Sequence, residues 1–187
     1  IEETGIAQQY RDVRIASIYE GTTGIQALDL VGRKLIRDMG ASATKIVNEI
    51  AAFAAALDGS DADIAAIKAE LERGAKALAD VSAWIGMNAM SDVNMAFACS
   101  VPYLRLWGVV AGGWQMARAA QIAAARIAAG DAEAAFYRAK LTTARFYADH
   151  VLSQSSWLQH QIVSGSAAVL RQTDEGYDLD RRALANA

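Results

Sequence analysis

Residues 64–85 read IAAIKAELERGAKALADVSAWI, and their large apolar side chains recur in steps of three and four. This spacing gives one apolar stripe, which is typical of a helix that packs against its neighbours at a shallow angle. Gly74 occupies the one position of the stripe that lacks a large side chain. The pattern predicts a long helix that runs to about Cys99. Its stripe consists of Ile64, Ile67, Leu71, Leu78, Val81 and Ile85.

Helical patterns of similar length lie on both sides of this stretch. One covers residues 42–57, and another is predicted from Pro102 to Ala129, since proline is tolerated in the first turn of a helix. Gly130-Asp131 then separates a last helix, which we expect to be interrupted near Gly165. The connections are short, so these four helices predict an up-and-down bundle over residues 42–164.

Two shorter helical patterns precede the bundle, over residues 2–19 and 25–35. Between them lies Gly21-Thr22-Thr23-Gly24, where the glycines stop one helix and a threonine can cap the next. One proline and 53% hydrophobic residues, many of them alanine, favour helix throughout. The predicted fold class is therefore all-α, a helical hairpin followed by an up-and-down four-helix bundle. Met39-Gly40-Ala41 is the expected boundary between a first part, 1–40, and an appended bundle, 41–187.

Charge and composition exclude several classes of function. A net charge of −3 without a basic run argues against nucleic acid as a partner. The most apolar stretch, 101–117, contains Arg105 and is shorter than the ~20 residues that span a bilayer, so we expect no membrane span. A single cysteine suits the cytoplasm, and the N-terminus lacks the basic and apolar pattern of a signal peptide. Because the chain begins with Ile1, we expect it to be a fragment of a longer protein.

Glu20 stands where chemistry is expected, at the end of a helix and before the glycine-lined turn. Free N–H groups at the start of the next helix could bind an anion or the polar edge of a cofactor. The alternative is a solvated glutamate beside an ordinary turn. From spacing alone this alternative is favoured, because such turns are common.

A longer pattern changes that balance. The stretches IEETG (1–5), RDVRI (11–15), IYEGTTGIQ (18–26) and DLVGRK (29–34) resemble the C-terminal signature of the acyl-CoA dehydrogenases. The form GIQALDLVGRK resembles the bacterial branch with an extra C-terminal helical domain, the 3-methylmercaptopropionyl-CoA dehydrogenase-like branch. The resemblance covers about the first 37 residues. It implies an FAD-dependent oxidation of an acyl-CoA to the 2,3-enoyl-CoA.

The resemblance also implies roles for individual residues. Glu20 matches the base that removes the α-proton, and burial beside an acyl chain is expected to raise its pKa. Many relatives have serine and glutamine where this chain has Thr23 and Gly24, so any cofactor contact of Gly24 involves its backbone. Gln26 is a weaker candidate, and Arg11 and Asp12 are expected to fix the helix pair by ion pairing. The site thus comprises Glu20 as the catalytic residue, Tyr19 and Gly21 for substrate, and Thr22, Thr23 and Gly24 for FAD.

Further expectations follow from the family resemblance. The full-length protein is expected to form a homo-oligomer and to pass electrons to an electron-transfer flavoprotein, whereas this fragment alone should be inactive. The alternative is a non-catalytic helical oligomerisation or interaction domain that retains the motif. A third possibility, an independent four-helix binding protein, treats the match as chance.

Other polar and aromatic residues carry structural expectations. Cys99 has no predicted partner and is expected to be a buried, inert thiol. His150 and His160 are expected at the surface, without a metal. The four tryptophans are expected to anchor the core or an interface, and they are Trp84, Trp107, Trp114 and Trp157.

Overall fold

The computed structural model describes residues 2–19 and 22–171, and within these ranges the secondary structure is entirely helical. The prediction of an all-α fold is therefore confirmed. A 3-10 turn, Glu2–Thr4, precedes α1 (Ile6–Arg14), α2 (Ala16–Tyr19) and α3 (Thr23–Asp29), which continues into a π-helical segment, Leu30–Ile36. There follow α4 (Ala41–Ala56), α5 (Ala62–Ser91), α6 (Val93–Ala98), α7 (Ser100–Ala128), α8 (Ala134–His150), a 3-10 turn (Leu152–Gln154) and α9 (Ser155–Val169).

The long helices run alternately up and down, as the sequence predicts for the bundle. Lys68 on α5 donates to the carbonyls of Ala55 and Leu57 at the end of α4, both at 3.0 Å. Further along α5, the hydroxyl of Ser82 lies 2.8 Å from that of Tyr103 on α7. Helices α8 and α9 together form the fourth column, which packs against both α5 and α7.

The predicted stripe of α5 forms the centre of the core. All six of its large residues are buried, none more than 4% exposed. Asp61 caps the helix, since its carboxylate accepts from the N–H groups of Asp63 and Ile64. Burial of these side chains, each contributing ~1.5–3 kcal/mol, accounts for much of the stability of the bundle.

The fourth column is broken at Val151–Gln154, whereas α9 continues through Gly165. The prediction of an interruption near Gly165 was therefore wrong. Leu152 explains the break, because its fully buried side chain lies between Gly74 of α5 and Gly113 of α7. A Cβ at either glycine would lie within 2.9 Å of a Leu152 methyl carbon. The glycine in the stripe of α5 thus makes room for a leucine from another column.

Helix α5 also ends earlier than expected, at Ser91 instead of near Cys99. Asp92 has an extended backbone, with φ −149° and ψ 99°, and its carboxylate accepts from the N–H groups of Asn94 and Met95. This cap starts the separate helix α6. A capping aspartate, rather than glycine or proline, ends the long helix.

The first part of the chain joins the bundle through α3 and the π-helical segment. Val31 and Leu35 are buried in the bundle core, and α3 packs against α7. The N–H of Arg37 donates to the carbonyl of Gly32, five residues back, as π-helical geometry requires. The predicted helix over residues 2–19 is divided near Ile15, and α1 contains no buried residue.

A tight turn follows the π-helical segment at the expected boundary. Met39 and Gly40 both have left-handed backbones, with φ 55° and 79°. The division into parts 1–40 and 41–187 stays a prediction. In the described ranges, every helix is too short or too polar to cross a bilayer.

Candidate functional site

The motif that is predicted to be catalytic lies only partly within the described residues. Glu20 and Gly21, the expected base and its substrate-binding neighbour, lie outside them. Tyr19 is the last residue of α2, and its backbone alone is described. The assignments of these three residues stay predictions, and the geometry of the site begins at Thr22.

Thr22 caps α3, as the turn sequence predicts. Its backbone is extended, with φ −75° and ψ 141°, and its hydroxyl oxygen accepts from the N–H of Ile25 at 3.4 Å. The N–H of Gln26 donates to the Thr22 carbonyl at 3.2 Å. The hydroxyl oxygen of Thr22 is thus used in starting the helix, while its hydrogen remains a possible donor.

A cavity of about 350 Å³ adjoins the start of α3. Four elements form it, namely α2, α3, the π-helical segment and α7. Thr23 and Gln26 line it from the motif, but Thr22 and Gly24 do not. The full lining is Ala16, Thr23, Gln26, Asp29, Leu30, Lys34 and Leu104.

Gly24 lies beside space that the described residues leave open. No described atom outside the neighbouring residues and the backbone of its own helix comes within 4 Å of the point where a Cβ would stand. Thr23 is exposed as well. The start of α3 therefore presents backbone and a hydroxyl that a ligand could approach without displacing any described side chain.

Of the two charged side chains that line this cavity, only the carboxylate has an ion-pair partner among the described residues. The Asp29 carboxylate forms an i,i+4 ion pair with Arg33 at 3.0 Å. Lys34 lines the same cavity and forms no ion pair with a described carboxylate. An ammonium group there favours an anionic group, such as a phosphate, over a cation.

Sequence reasoning did not identify Asp29, Lys34 or Leu104 as parts of the site. Asp29 and Lys34 follow the motif on the same helical stretch as Thr23 and Gln26, and this proximity was a usable signal. Leu104 belongs to α7, far along the chain, and no sequence signal linked it to the motif.

Arg11 and Asp12 were expected to fix the helix pair by ion pairing. Arg11 instead pairs with Glu2 at 2.9 Å, within the first segment, and both side chains are exposed.

Cys99 and the two histidines lie away from this cavity. Cys99 is buried, as expected; burial raises the pKa of its thiol to about 11, and the thiol donates to the Ala96 carbonyl at 3.1 Å. Both histidines are exposed, and the ring of His150 lies 4.5 Å from that of Phe146. The described residues contain no group of three histidine, cysteine or acidic side chains that could hold a metal ion.

The tryptophans divide into two kinds. Trp84, Trp107 and Trp114 are half-buried and pack against the core, as expected. Trp157 is 56% exposed, with the Arg105 guanidinium 5.9 Å from its ring centre. Trp157 is therefore not a core anchor.

Comparisons with known proteins identify relatives of this chain. Residues 46–172 match the model of a family described as acetyl-CoA dehydrogenase C-terminal like. The chain is 45% identical over 157 residues to 3-methylmercaptopropionyl-CoA dehydrogenase of Ruegeria pomeroyi. It is 34% identical over 163 residues to the broad-specificity linear acyl-CoA dehydrogenase FadE5 of Mycobacterium tuberculosis. These matches cover 83% and 81% of the chain, but only 26% of each relative.

Proposed function

This chain belongs to the acetyl-CoA dehydrogenase C-terminal-like family, and from that membership we propose that it is the C-terminal part of a flavin-dependent acyl-CoA dehydrogenase. The full-length protein oxidises an acyl-CoA to the 2,3-enoyl-CoA. One observation carries the proposal. Ala16 of α2 and Thr23 of α3, which stand on either side of the motif's Tyr-Glu-Gly-Thr, line the same cavity.

The proposed reaction removes one proton and one hydride from the substrate. The Glu20 carboxylate takes the proton from the α-carbon, and the electron pair of that C–H bond forms the α,β double bond. The hydrogen on the β-carbon leaves with its electron pair as hydride. FAD, when bound, supplies the acceptor for that hydride. Glu20 therefore ends protonated, and the thioester ends as the enoyl product.

Glu20 needs a suitable environment to act as this base. An ordinary carboxylate is too weakly basic, and burial beside an acyl chain raises the pKa of such a group. Tyr19 and Gly21 form the substrate side of the proposed site. The missing Cβ of Gly21 lets the backbone approach the thioester closely.

The residues at the start of α3 fit the polar edge of FAD. Thr22 and Thr23 supply hydroxyl groups, and the open space beside Gly24 allows contact with its backbone. Lys34 adds a positive charge that complements a phosphate. We place these four residues on the cofactor side of the site and Glu20 on the substrate side.

The proposal extends to partners and compartment. The substrate is an acyl-CoA, the electron acceptor is an electron-transfer flavoprotein, and the protein is a cytoplasmic homo-oligomer. The 187 residues alone are expected to be inactive, because the chain spans only about a quarter of each relative.

The experiment uses the full-length protein. It should be purified as a yellow flavoprotein that bleaches when acyl-CoA is added. Glu20→Gln should keep the bound flavin but lose the bleaching, because an amide cannot take the α-proton. Glu49→Gln, an exposed position of α4, is the matched control and should bleach like the parent.

Two results would contradict the proposal. Bleaching by Glu20→Gln at the parent rate would place the base elsewhere. A colourless protein that cannot be reconstituted with FAD would favour the non-catalytic interaction domain.

A further inference from the structure

One continuous helix carries most of the wall of the cavity at the proposed site. Helix α3 passes into the π-helical segment without a break, since Asp29 and Leu30 both have helical backbones. Five of the seven residues that line the cavity belong to this stretch, and they are Thr23, Gln26, Asp29, Leu30 and Lys34. A displacement of this helix would therefore move most of the cavity wall at once.

The bundle holds one side of this helix. Ala27, Val31 and Leu35 recur in steps of four and are at most 3% exposed, so they form the buried face of the helix. Val31 and Leu35 belong to the bundle core, and α3 packs against α7. These contacts fix the helix laterally, beside the cavity.

A second contact supports the helix from behind. The ring of Phe97, on α6, lies against the backbone at Gly32, where a Cβ would stand 3.3 and 3.4 Å from two ring carbons. Ordinary carbon contacts are about 3.5–4.0 Å, so the ring lies as close as glycine allows. Gly32 is two residues from both Leu30 and Lys34, which is a rotation of about 200° along a helix. The ring therefore lies on the side of the helix opposite to the cavity.

Phe97 is itself firmly placed. Its ring is half-buried and packs against the core. Its neighbours Ala96 and Cys99 are at most 1% exposed, and the Asp92 carboxylate caps the start of α6. Helix α6 is thus anchored in the bundle, and its phenylalanine ring resists movement of the supported helix away from the cavity.

We propose that Phe97 is a positioning residue for FAD binding, an inference that rests on the proposed function. Its ring, packed on Gly32, holds the cofactor-side residues of the helix within reach of the cofactor. Phe97 is not among the residues that line the cavity, so it acts through the helix and not by contact. Hydrogen bonds need donor–acceptor distances of about 2.7–3.2 Å, and a binding site that is about 1 Å too loose fails. Without the ring, the helix recedes and FAD binds more weakly.

The first test measures the dissociation constant of FAD for the full-length apoprotein, by the quenching of flavin fluorescence on binding. Phe97→Leu keeps an apolar side chain but removes the outer ring carbons that contact Gly32. It should raise the dissociation constant about fivefold, or ~1 kcal/mol.

Phe53→Leu is the matched control. Phe53 is also half-buried and packed against the core, but it lies near the end of α4 and does not line the cavity. The same substitution there should lower the stability in urea to a similar extent and leave the dissociation constant of FAD at the parent value. The comparison separates positioning from a general loss of stability.

Hydrogen–deuterium exchange of the full-length apoprotein follows the helix without flavin. In Phe97→Leu, amides of residues 23–36 should exchange faster, about fivefold if the lost contact is worth ~1 kcal/mol of local opening. Amides of α8, residues 134–150, should keep the parent rates.

Gly32→Ala provides a rescue. In the parent, the added methyl group forces the helix and the ring apart, so this variant should also weaken FAD binding. In the Phe97→Leu background, the methyl group fills the space that the outer ring carbons leave. The double variant should therefore bind FAD more tightly than Phe97→Leu alone, a change of sign that shows coupling between the two positions.

Several results would overturn the inference. An unchanged dissociation constant in Phe97→Leu would do so whatever the exchange rates, and so would equal weakening by Phe53→Leu. If Phe97→Leu does not fold, Gly32→Ala decides, because FAD binding at the parent affinity in that variant contradicts the inference. A parent that binds no FAD contradicts the proposed function as well, whereas a parent that binds FAD and bleaches leaves only the role of Phe97 at issue.

Discussion

Gly113→Ala should destabilise the bundle, although alanine normally favours helix. A Cβ at this position would lie 2.7 and 2.9 Å from the two methyl carbons of Leu152, where ordinary carbon contacts are about 3.5–4.0 Å. Leu152 is fully buried, and Gly74 lies on its other side. Overpacking of this kind costs about 1–3 kcal/mol. The gain in helix propensity is about 0.8–1 kcal/mol, so the expected net loss lies between about 0 and 2 kcal/mol, whereas without the clash the same change would stabilise the chain.

Urea unfolding of the 187-residue chain, followed by circular dichroism, measures this effect as a shift of the midpoint. Leu152→Ala alone should cost about 2–5 kcal/mol, because it leaves a cavity between α5 and α7. In that background the clash is gone, and Gly113→Ala should become stabilising by up to about 1 kcal/mol. This change of sign is a coupling that a double-mutant cycle isolates.

Gly108→Ala is the control for helix propensity, because no described atom outside the neighbouring residues and the backbone of α7 lies within 4 Å of its Cβ position. It should stabilise the chain by up to about 1 kcal/mol. Two results would refute the packing of Leu152 between the two glycines. One is that Gly113→Ala raises the free energy of unfolding as much as Gly108→Ala does. The other is that Gly113→Ala lowers it equally in the parent and in the Leu152→Ala background.

Two further predictions concern titrating groups. Cys99 is buried, and its thiol has a pKa raised to about 11, so iodoacetamide at pH 8 should leave it unmodified in the folded chain and alkylate it in urea. Rapid alkylation without urea would place the thiol at the surface. Hydrogen bonds from Ser42 and Gly40 lower the pKa of Asp38, so its contribution to stability is complete above about pH 4 and is lost as the pH falls through the lower folded value. Asp38→Asn should therefore flatten the fall in stability below pH 4, and an unchanged acid limb in urea titrations would contradict this.

The core residues of the bundle could be predicted from the sequence, because the periodicity of apolar residues indicates which face of a helix is buried. The stripe of α5 needed no knowledge of its neighbours, and Gly130, with φ 71°, ends α7 where a glycine was expected to end a helix. The break at Leu152 did not follow, because the local sequence contains neither glycine nor proline there. Its cause lies in two glycines 78 and 39 residues earlier on other helices. Such a contact is visible only once the columns are packed.

The π-helical segment shows the same limit. Val31 and Leu35 repeat at a spacing that an α-helix also satisfies, so the pattern predicted α-helix. A Cβ on Gly32 would lie 3.3 Å from the ring of Phe97, so the close approach of α6 is part of this geometry. Only the tertiary structure brings that ring to the segment.

The candidate site was predictable where its residues are close in sequence. The cap at Thr22 followed from the residue type. Thr23 lines the cavity, and its role in binding FAD stays a prediction. Glu20, Tyr19 and Gly21 were assigned through family resemblance, and those roles stay predictions. Lys34 and Leu104 were missed because several helices together form the cavity wall. A local sequence pattern does not predict which residues line it.

The short 3-10 turn between α8 and α9 sets the rotation of one helix relative to the other. Buried residues continue through the turn in steps of three, from Leu152 to Ser155 to Leu158, while steps of four return further along α9. The column changes locally from α-helix to 3-10 helix, and its buried residues still face α5 and α7. One residue inserted at this turn would rotate α9 by about 100°. Leu158 and Ile162 would then point away from the core. The length of the turn Leu152–Gln154 therefore determines which face of α9 is buried.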